Sequence, residues 1–530
     1  MNLFDLAKKK ISAHASKIKG DESFSYANEK VGNESIISQK KVLELVDDSS
    51  INTFTETETE TETVKVCLAE EASEVNNDIE NIELRSQSGI QTQKFTPRNL
   101  TKNDTNHKSF DFTIVAPCPV ELADTGLSEY LLLGLMLKHL HSSGVLTLRA
   151  LAQKIALSGA IVQHLIDDAK NKSLIENHTS NANAQMRFSL SSLGVLAAEK
   201  EIYKNGYIGP APVPLSQYST ICLKQSSRGH NVTQQELAQV FSKLTFPDEL
   251  IAKVGPSLNS TKPILIYGDA GTGKSFFCRH LNLVFGDDVL IPHAIEVNNE
   301  IIQVFDPEIH ETSATPQQEN ILKLATSYDP RWVLCKRPLV VTGGELTAEM
   351  LEVKFDPTTK TYRAPLQLKA NNGILLLDDL GRQKISPKQL FNRWIVPLEE
   401  RRDFLSLQSG LHFELPFELL LLFSTNLTPT ELVDEAFLRR LGYKIQFEPM
   451  AKELYQEIWF KECVNNGLLA EMSIFEYLVD HLHQLHNRKY LPCYPRDLIA
   501  IINDQVKFKQ LTPEITKELL NFAWHSYFVK

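Results

Sequence analysis

A long polar stretch precedes two kinds of hydrophobic pattern along this chain. Residues 1–112 are rich in Ser, Thr, Asn, Glu and Lys, contain few aromatic residues and include the repeat TFTETETETETET. Such a segment buries too little apolar surface to offset the entropy of ordering it, so we predict a disordered tail that serves as a tether or an interaction segment. From about residue 121 onward, apolar positions recur at helical or strand spacing, which predicts folded domains.

The first folded segment combines helical and strand patterns. Apolar residues recur at helical spacing over 127–140, 146–157 and 158–176. Two short stretches, SLIENH and MRFSLS, then predict strands around the polar loop TSNANAQ, and SLGVLAAEKEIYKN predicts a further helix. Three helices followed by a two-stranded wing resemble a winged-helix α+β domain, with residues 113–208 as its expected extent.

The charge of the third helix bears on what such a domain would bind. A DNA-reading helix brings several Lys or Arg side chains to phosphates. This helix carries Asp167 and Asp168 against Lys170 and Lys172, so it is close to neutral. Docking of a protein is therefore favoured, and DNA binding is kept as the alternative.

A proline-rich stretch and then a helical pattern separate the first folded region from the second. IGPAPVPLSQY contains three prolines, which cannot continue a helix and predict a linker. VTQQELAQVFSKL then predicts a helix. Residues 209–248 are thus expected to form a linker and a helix, and one large unit is expected to follow.

The segment KPILIYGDAGTGKSFFCRHLNLVF carries the strongest chemical signal. PILIY predicts a buried strand and SFFCRHLNLVF a helix, so the motif G-x-x-x-x-G-K-[ST] stands in its required strand–loop–helix context. Backbone N–H groups of such a turn cradle phosphate, and the helix N-terminus adds partial positive charge. Lys274 would meet the β- and γ-phosphates, and Ser275 would coordinate Mg²⁺. The predicted phosphate-binding residues are Gly268, Asp269, Ala270, Gly271, Thr272, Gly273, Lys274 and Ser275.

Three later segments add polar residues at the ends of buried strands and helices. GILLLDDLGR predicts a strand buried on both faces, and Asp378 at its carboxyl end is suited to the Mg²⁺ shell. FELLLLFSTN predicts another buried strand that ends at Asn426. VDEAFLRRLGYKIQF predicts a helix that leads into a strand, with Arg439 and Arg440 between them. YPRDLIAII places Arg496 at the start of a helix in the C-terminal region.

In this order and with these gaps, the motifs resemble bacterial AAA+ ATPases. The layout of LKANNGILLLDDLGRQKISPKQLFNRWIVPLEERRDFLSL is similar to the helix-2-insert branch that includes MoxR-like chaperone ATPases and enhancer-binding activators. The hairpin predicted over DFLSLQSGLHFEL, with Gly410 near its turn, precedes the Asn426 strand as the pre-sensor insertion of that branch does. The resemblance covers residues 249–530. It implies an α/β P-loop AAA+ domain, a parallel sheet flanked by helices, over 249–455 and a helical lid over 456–530.

The resemblance also assigns roles to single residues. Asn426 matches the polar sensor-one residue, Arg496 matches sensor two, and Arg440 lies where an arginine finger should, with Arg439 as the alternative. Asp379 occupies the position of the glutamate that usually activates the attacking water. Aspartate is one methylene shorter, so we expect slow hydrolysis or alignment of the water by a neighbouring group.

A ring oligomer, usually a hexamer, is implied as well, with ATP and Mg²⁺ bound between subunits. An arginine of one subunit would reach the γ-phosphate held by its neighbour, and hydrolysis would move loops that remodel a bound protein. Those loops are expected in the long insertion over 287–372, where AIEVNNEIIQVFD predicts a hairpin with Asn298 and Asn299 at its turn. ATP is favoured over GTP because no N-K-x-D segment follows the P-loop. The sigma-contacting GAFTGA motif of the activators is absent, which counts against a direct role at RNA polymerase.

Composition and charge narrow the class of protein further. The 530 residues carry a formal net charge of −11, which argues against wholesale nucleic-acid binding. The seven cysteines form no C-x-x-C pair, as expected for reduced thiols in a cytoplasmic protein. The longest apolar run, around 130–137, is far short of the roughly 20 residues that span a membrane. The N-terminus lacks the apolar core of a signal peptide.

These observations leave three functional hypotheses. The leading one is an ATPase that hydrolyses ATP to remodel an unknown protein client. The second is an ATP-dependent DNA-associated factor that uses the winged-helix-like domain. The third is a nucleotide-gated scaffold with little hydrolysis, which the aspartate at position 379 makes plausible.

Overall fold

The N-terminal module of the described chain contains helices and a small antiparallel sheet. The computed structural model describes residues 115–179, 186–229, 231–242, 244–260, 262–313, 328–432 and 434–528. The predicted tail over 1–112 lies outside this range. In chain order the module contains α1 (Glu129–Ser143), β1 (Leu146–Thr147), α2 (Leu148–Ile155), α3 (Gly159–Asn171), β2 (Ile175–Thr179), β3 (Met186–Leu190) and α4 (Ser192–Lys204).

Local sequence explains where these helices begin. The side chains of Ser128, Thr147, Ser158 and Ser191 each accept a backbone hydrogen bond at a helix N-terminus. Strand β3 lies between β1 and β2 and pairs antiparallel with both. A continuous cluster of buried leucine, isoleucine and valine side chains fills the space between the helices. The sequence predicted the helices, β2 and β3, whereas the two-residue strand β1 was not predicted.

The rest of the chain forms a P-loop unit and a C-terminal helical lid. Its elements in chain order are β4 (Val213–Pro214), α5 (Leu215–Lys224), α6 (Gln234–Phe241), α7 (Asp248–Asn259), β5 (Ile264–Gly268), α8 (Lys274–His280), β6 (Asp288–Pro292), β7 (Ala294–Val297), β8 (Glu300–Gln303), β9 (Trp332–Lys336), β10 (Leu339–Thr342), β11 (Lys354–Asp356), β12 (Thr361–Arg363), α9 (Leu366–Lys369), β13 (Ile374–Leu377), α10 (Pro387–Glu400), β14 (Arg402–Ser406), β15 (His412–Pro416), β16 (Leu420–Thr425), α11 (Pro429–Leu432), α12 (Glu435–Leu438), β17 (Tyr443–Phe447), α13 (Lys452–Asn465), α14 (Met472–Glu476), α15 (Cys493–Lys509) and α16 (Lys517–Tyr527).

A five-stranded parallel sheet forms the centre of the P-loop unit. Its strand order is β10-β13-β16-β5-β17, with the P-loop strand β5 between β16 and β17. Both faces of the sheet are covered: Ile264 and Ile266 belong to one hydrophobic cluster and Leu265 to the other. This burial explains the uninterrupted apolar runs of its strands. The unit is an α/β domain with a parallel sheet flanked by helices and a P-loop turn after β5, as predicted.

A second sheet corrects the predicted linker. Its strand order is β11-β12-β8-β7-β4, and β7 and β8 form the predicted hairpin with Asn298 and Asn299 at positive φ. Strand β4 comes from the proline-rich segment, pairs with β7 and buries Val213 completely. The proline-rich segment is therefore part of the fold. Pro214 is the last residue of the edge strand β4, and helix α5 begins directly after it. The predicted insertion over 287–372 also contains β10, a strand of the central sheet.

A buried arginine joins the N-terminal module to this second sheet region. Arg331 has no solvent-exposed surface and forms an ion pair of 2.8 Å with the equally buried Asp329. Its guanidinium also donates to the carbonyl oxygen of Thr125 at 3.0 Å, to that of Pro212 at 3.2 Å and to Gln217 Oε1 at 3.1 Å. Thr125 lies just before the N-terminal module and Pro212 just after it, so Arg331 ties the two chain segments that flank the module to the segment before β9.

The lid has its own core of aromatic side chains. Tyr455, Trp459 and Trp524 are each at most 1% exposed and lie in one cluster between α13, α15 and α16. The hairpin predicted over 403–415 is also present, since β14 pairs antiparallel with β15 and Gly410 has φ +82° at the turn. Among the described helices, none is long and apolar enough to cross a bilayer.

Candidate active site

A cleft of about 970 Å³ lies between the carboxyl edge of the central sheet and the lid. Ligands of open α/β sheets bind at this edge, because the loops that follow parallel strands converge there. The predicted site residues that line the cleft are Ala270, Gly271, Thr272, Gly273, Lys274, Ser275, Asp379, Asn426 and Arg496. Residues from three strand ends and from the lid therefore meet around one space.

Two glycines of the P-loop turn have positive φ and lie against different parts of the structure. Gly268 has φ +142°, and a Cβ there would lie 2.1 Å from the carbonyl oxygen of Phe447 on the neighbouring strand. Gly271 has φ +83°, and a Cβ there would lie 2.6 Å from the Sγ atom of Cys493 in the lid. The turn is therefore packed between the sheet and the lid, and its backbone N–H groups remain close to the cleft.

Lys274 is held at the floor of the cleft by main-chain and side-chain oxygens. Its ammonium group donates to the carbonyl oxygens of Gly268 at 2.9 Å and Asp269 at 2.8 Å, and to Asn426 Oδ1 at 2.7 Å. Burial lowers the pKa of Lys274, and the nearby carboxylates of Asp379, Asp378 and Asp269 partly oppose that effect. The predicted phosphate-binding lysine and the predicted sensor-one asparagine are thus in direct contact.

A hydroxyl and a carboxylate meet beside this lysine. Ser275 is the second residue of α8, and its Oγ donates to Asp378 Oδ1 at 2.8 Å. Asp378 directly follows β13, which is fully buried, so the carboxylate is carried by a rigid strand. Oxygen donors of this kind suit Mg²⁺, which keeps several waters and takes one or two protein ligands beside nucleotide phosphates. The two residues fit the predicted metal site.

Asp379 and Asn426 face each other at the cleft wall. Asn426 Nδ2 lies 3.4 Å from Asp379 Oδ1, and Asp379 has the left-handed backbone conformation, with φ +50°. This conformation turns the chain sharply after β13, and it leaves the Asp379 carboxylate exposed to the cleft. The pair can hold a water molecule by a carboxylate acceptor and an amide donor.

The predicted arginines occupy two different places. Arg496 lines the cleft from the lid helix α15, and its Nε donates to Asp497 Oδ1 at 3.0 Å. Arg440 pairs with Glu399 at 2.6 Å and Arg439 with Glu435 at 3.2 Å, and neither arginine lines the cleft of its own chain. A position outside its own cleft is what an arginine acting on a neighbouring subunit requires, and that role stays a prediction.

Sequence reasoning missed the part of the cleft that is built by packing. Apolar residues that line it are Phe246 from the segment before α7, Met450 from the segment before α13, and Ile458 from α13. Lys489 of the lid pairs with Asp269 of the P-loop at 3.1 Å. These residues carry no motif, and they become neighbours only when the lid folds against the sheet.

Arg382 is a further cleft residue that the sequence analysis left without a role. A signal for it was present, because Arg382 lies four residues after the acidic strand end at Asp378, in the same short motif.

Comparison with known proteins adds little to this assignment. A family model described as a domain of unknown function, DUF8689, matches residues 451–526, which is the lid. No curated protein matches the chain. Among solved structures, the Holliday junction branch migration motor RuvB of Thermotoga maritima is 11% identical, with a TM-score of 0.32, and the match covers 55% of this chain and 72% of that one. NtrX from Brucella abortus is 12% identical, with a TM-score of 0.33, over 70% of this chain and 63% of that one. The fold assignment therefore depends on the strand order of the central sheet.

Proposed function

We propose that the protein is an ATPase that binds Mg²⁺–ATP in the cleft and hydrolyses it to ADP and phosphate. The observation that carries the proposal is the set of contacts around Lys274. One ammonium group reaches both the P-loop and Asn426, while Ser275 and Asp378 meet beside it. A phosphate-binding turn and a water-orienting pair therefore line one cleft, and Asp378 joins them through its contact with Ser275.

Each residue has one task in the proposed reaction. Lys274 and the P-loop N–H groups bind the phosphate oxygens, and Ser275 and Asp378 would hold Mg²⁺, which neutralises phosphate charge when bound. Asp379 and Asn426 orient a water in line with the γ-phosphate. The water oxygen forms a bond to the γ-phosphorus, and the bond to the β,γ-bridging oxygen breaks with its electron pair left on ADP. The water proton passes to the Asp379 carboxylate or to the phosphate oxygens.

We infer further that hydrolysis is coupled to the remodelling of a protein partner in a ring of subunits. Arg440, or Arg439 in its place, would supply positive charge to the cleft of the next subunit. The buried hydrogen bonds of Arg331 to Thr125 and Pro212 support this coupling, because they tie the chain segments on either side of the N-terminal module to the ATPase unit.

The N-terminal module is proposed as a winged-helix-like docking domain for protein. On α3, Lys170 pairs with Asp167 at 3.3 Å and Lys172 pairs with Asp168 at 2.6 Å. Lysines that are already paired with carboxylates are poorly placed to collect DNA phosphates. Binding of a duplex with a strong salt dependence would instead favour the DNA-associated alternative.

The test of the ATPase is phosphate release by the purified full chain with Mg²⁺–ATP. Turnover that falls in Asn426→Ala while ATP binding persists would support the proposal. ATP binding without phosphate release in the unmodified protein would favour the nucleotide-gated scaffold, for which the shorter Asp379 side chain provides a physical reason.

The ring is tested by mixing two inactive variants. Arg440→Ala subunits retain the P-loop, and Lys274→Ala subunits retain the arginine, so a mixed interface restores one complete site. We expect partial recovery of turnover in the mixture. If co-assembled subunits stay as inactive as either parent, Arg440 does not act across the interface, and Arg439 is the next residue to exchange.

A further inference from the structure

Arg382 lines the nucleotide cleft together with Asp379, Asn426 and Lys274. It follows the buried strand β13 by only a short turn, so it belongs to the rigid edge of the central sheet. The proposed reaction uses Asp378 and Asp379, which precede Arg382, but gives the Arg382 guanidinium no function.

The turn that carries Arg382 is fixed by hydrogen bonds on both sides. The Arg382 backbone N–H donates to the carbonyl oxygen of Asp379 at 3.1 Å. The Gln383 side chain donates from Nε2 to the Asp378 carbonyl oxygen at 2.9 Å, and its Oε1 accepts from the Gly381 backbone N–H at 2.7 Å. The Arg382 backbone is therefore held in one position relative to the predicted Mg²⁺ and water-orienting aspartates.

The absence of an ion pair distinguishes Arg382 from the other arginines near the site, within the residues that the structure describes. Arg496, Arg439 and Arg440 each form an ion pair with a carboxylate. Across the residues that the structure describes, no carboxylate lies within ion-pair distance of the Arg382 guanidinium. An arginine without a carboxylate partner that lines the same cleft as a phosphate-binding lysine is suited to bind phosphate oxygens.

We propose that Arg382 is a catalytic residue that binds the γ-phosphate of ATP held by its own subunit. This inference rests on the proposed ATPase function and adds a positive charge acting within one chain to the arginine expected from a neighbour. Charge that develops on the γ-phosphate oxygens in the transition state is then met by Lys274 and Arg382 from the same subunit. The contact also offsets the departure at Asp379, because stabilisation of the phosphate does not depend on the length of that carboxylate.

The experiment compares Arg382→Ala and Arg382→Lys with the matched control Lys384→Ala. Lys384 is a cation two residues away that does not line the cleft. Removing one preorganised donor at a reacting oxyanion lowers kcat by about 10²–10³-fold in other enzymes. We expect a loss of about that size in Arg382→Ala, partial recovery in Arg382→Lys, and no change in Lys384→Ala.

Nucleotide affinity tests the contact between Arg382 and the γ-phosphate independently of the rate of turnover. The affinities of each variant for ATP and for ADP are measured with Mg²⁺ by isothermal titration. Arg382→Ala should weaken ATP while leaving ADP unchanged, since ADP has no γ-phosphate. Equal weakening of both nucleotides would overturn the proposal and indicate a structural role in the turn, as would unchanged affinity for both.

Mixing separates this role from that of a trans-acting arginine. Arg382→Ala subunits combined with Lys274→Ala subunits should stay inactive, because no subunit then has both residues. Recovered turnover would refute action within one chain. If the unmodified protein binds ATP but does not turn it over, the hydrolysis proposal fails, while the comparison of ATP with ADP still decides whether Arg382 contacts the γ-phosphate.

Discussion

Replacing Arg331 by methionine should destabilise the buried junction between the segments that flank the N-terminal module and the segment before β9. The side chain is completely buried, and its Nε donates to Asp329 Oδ1 at 3.1 Å and Oδ2 at 3.0 Å. It also donates to main-chain oxygens of Thr125 and Pro212, which belong to the segments on either side of the module. Methionine fills a similar volume but supplies none of these hydrogen bonds, so the buried carboxylate loses its counter-charge.

The expected loss follows from the uncompensated charge. Breaking a buried ion pair by removing one partner costs about 3–5 kcal/mol, because the remaining charge stays desolvated. Replacing both partners by apolar residues costs much less, since no charge is then left buried. Asp329→Leu combined with Arg331→Met should therefore be more stable than Arg331→Met alone, although it carries an additional substitution.

Urea unfolding followed by tryptophan fluorescence measures these differences. Trp332 is adjacent to the substituted residue and only 3% exposed, so its share of the emission of the four tryptophans reports on this junction. The matched control is Arg363→Met, whose ion pair with Asp356 is long, at 3.8 Å, and whose arginine side chain is 59% exposed. Such surface pairs contribute about 0–1 kcal/mol. The reasoning is refuted if Arg331→Met destabilises no more than Arg363→Met, or if the double variant is less stable than the single one.

Three further predictions concern the P-loop, the metal and a buried lysine. Gly271→Ala should weaken ATP binding at least tenfold, since its Cβ would lie 2.6 Å from the Sγ atom of Cys493. Gly410 has a similar φ, but a Cβ there would have no atom within 4 Å, so Gly410→Ala should leave ATP affinity unchanged. Asp378→Asn should remove the Mg²⁺ dependence of ATP binding, and an unaltered magnesium titration would contradict the assigned ligand. Burial lowers the pKa of Lys138 from 10.5 to about 8. The unfolded chain then binds more protons between these values, so stability should rise with pH from about 8 to 10.5 and should lose that rise in Lys138→Met.

The central sheet could be predicted because its pattern is local. Strands β13 and β16 are buried on both faces. The sequence of each is therefore an uninterrupted apolar run followed by polar residues at its carboxyl end. The P-loop was equally evident, since its glycines and lysine are adjacent in sequence. The hairpins at Asn298 and Gly410 were predicted from turn residues for the same reason.

Other features depend on partners that are distant in sequence. Strand β4 is two residues long and is defined by its pairing with β7, so the three prolines around it suggested a linker. Arg331 was not recognised because Thr125 and Pro212 lie more than a hundred residues before it. Phe246 and Ile458 line the cleft from the two sides of a domain boundary, and no local pattern brings them together.

The central claim is that the cleft binds Mg²⁺–ATP through Lys274. Its most direct test is isothermal titration of Mg²⁺–ATP into the unmodified chain and into Lys274→Ala, with circular dichroism to verify that both are folded. The account predicts saturable binding of one ATP per chain to the unmodified protein and no measurable binding to the variant, because the buried ammonium group is the cation at the phosphate position. Near-equal ATP affinity of the two proteins, or no binding to the unmodified chain, would contradict it.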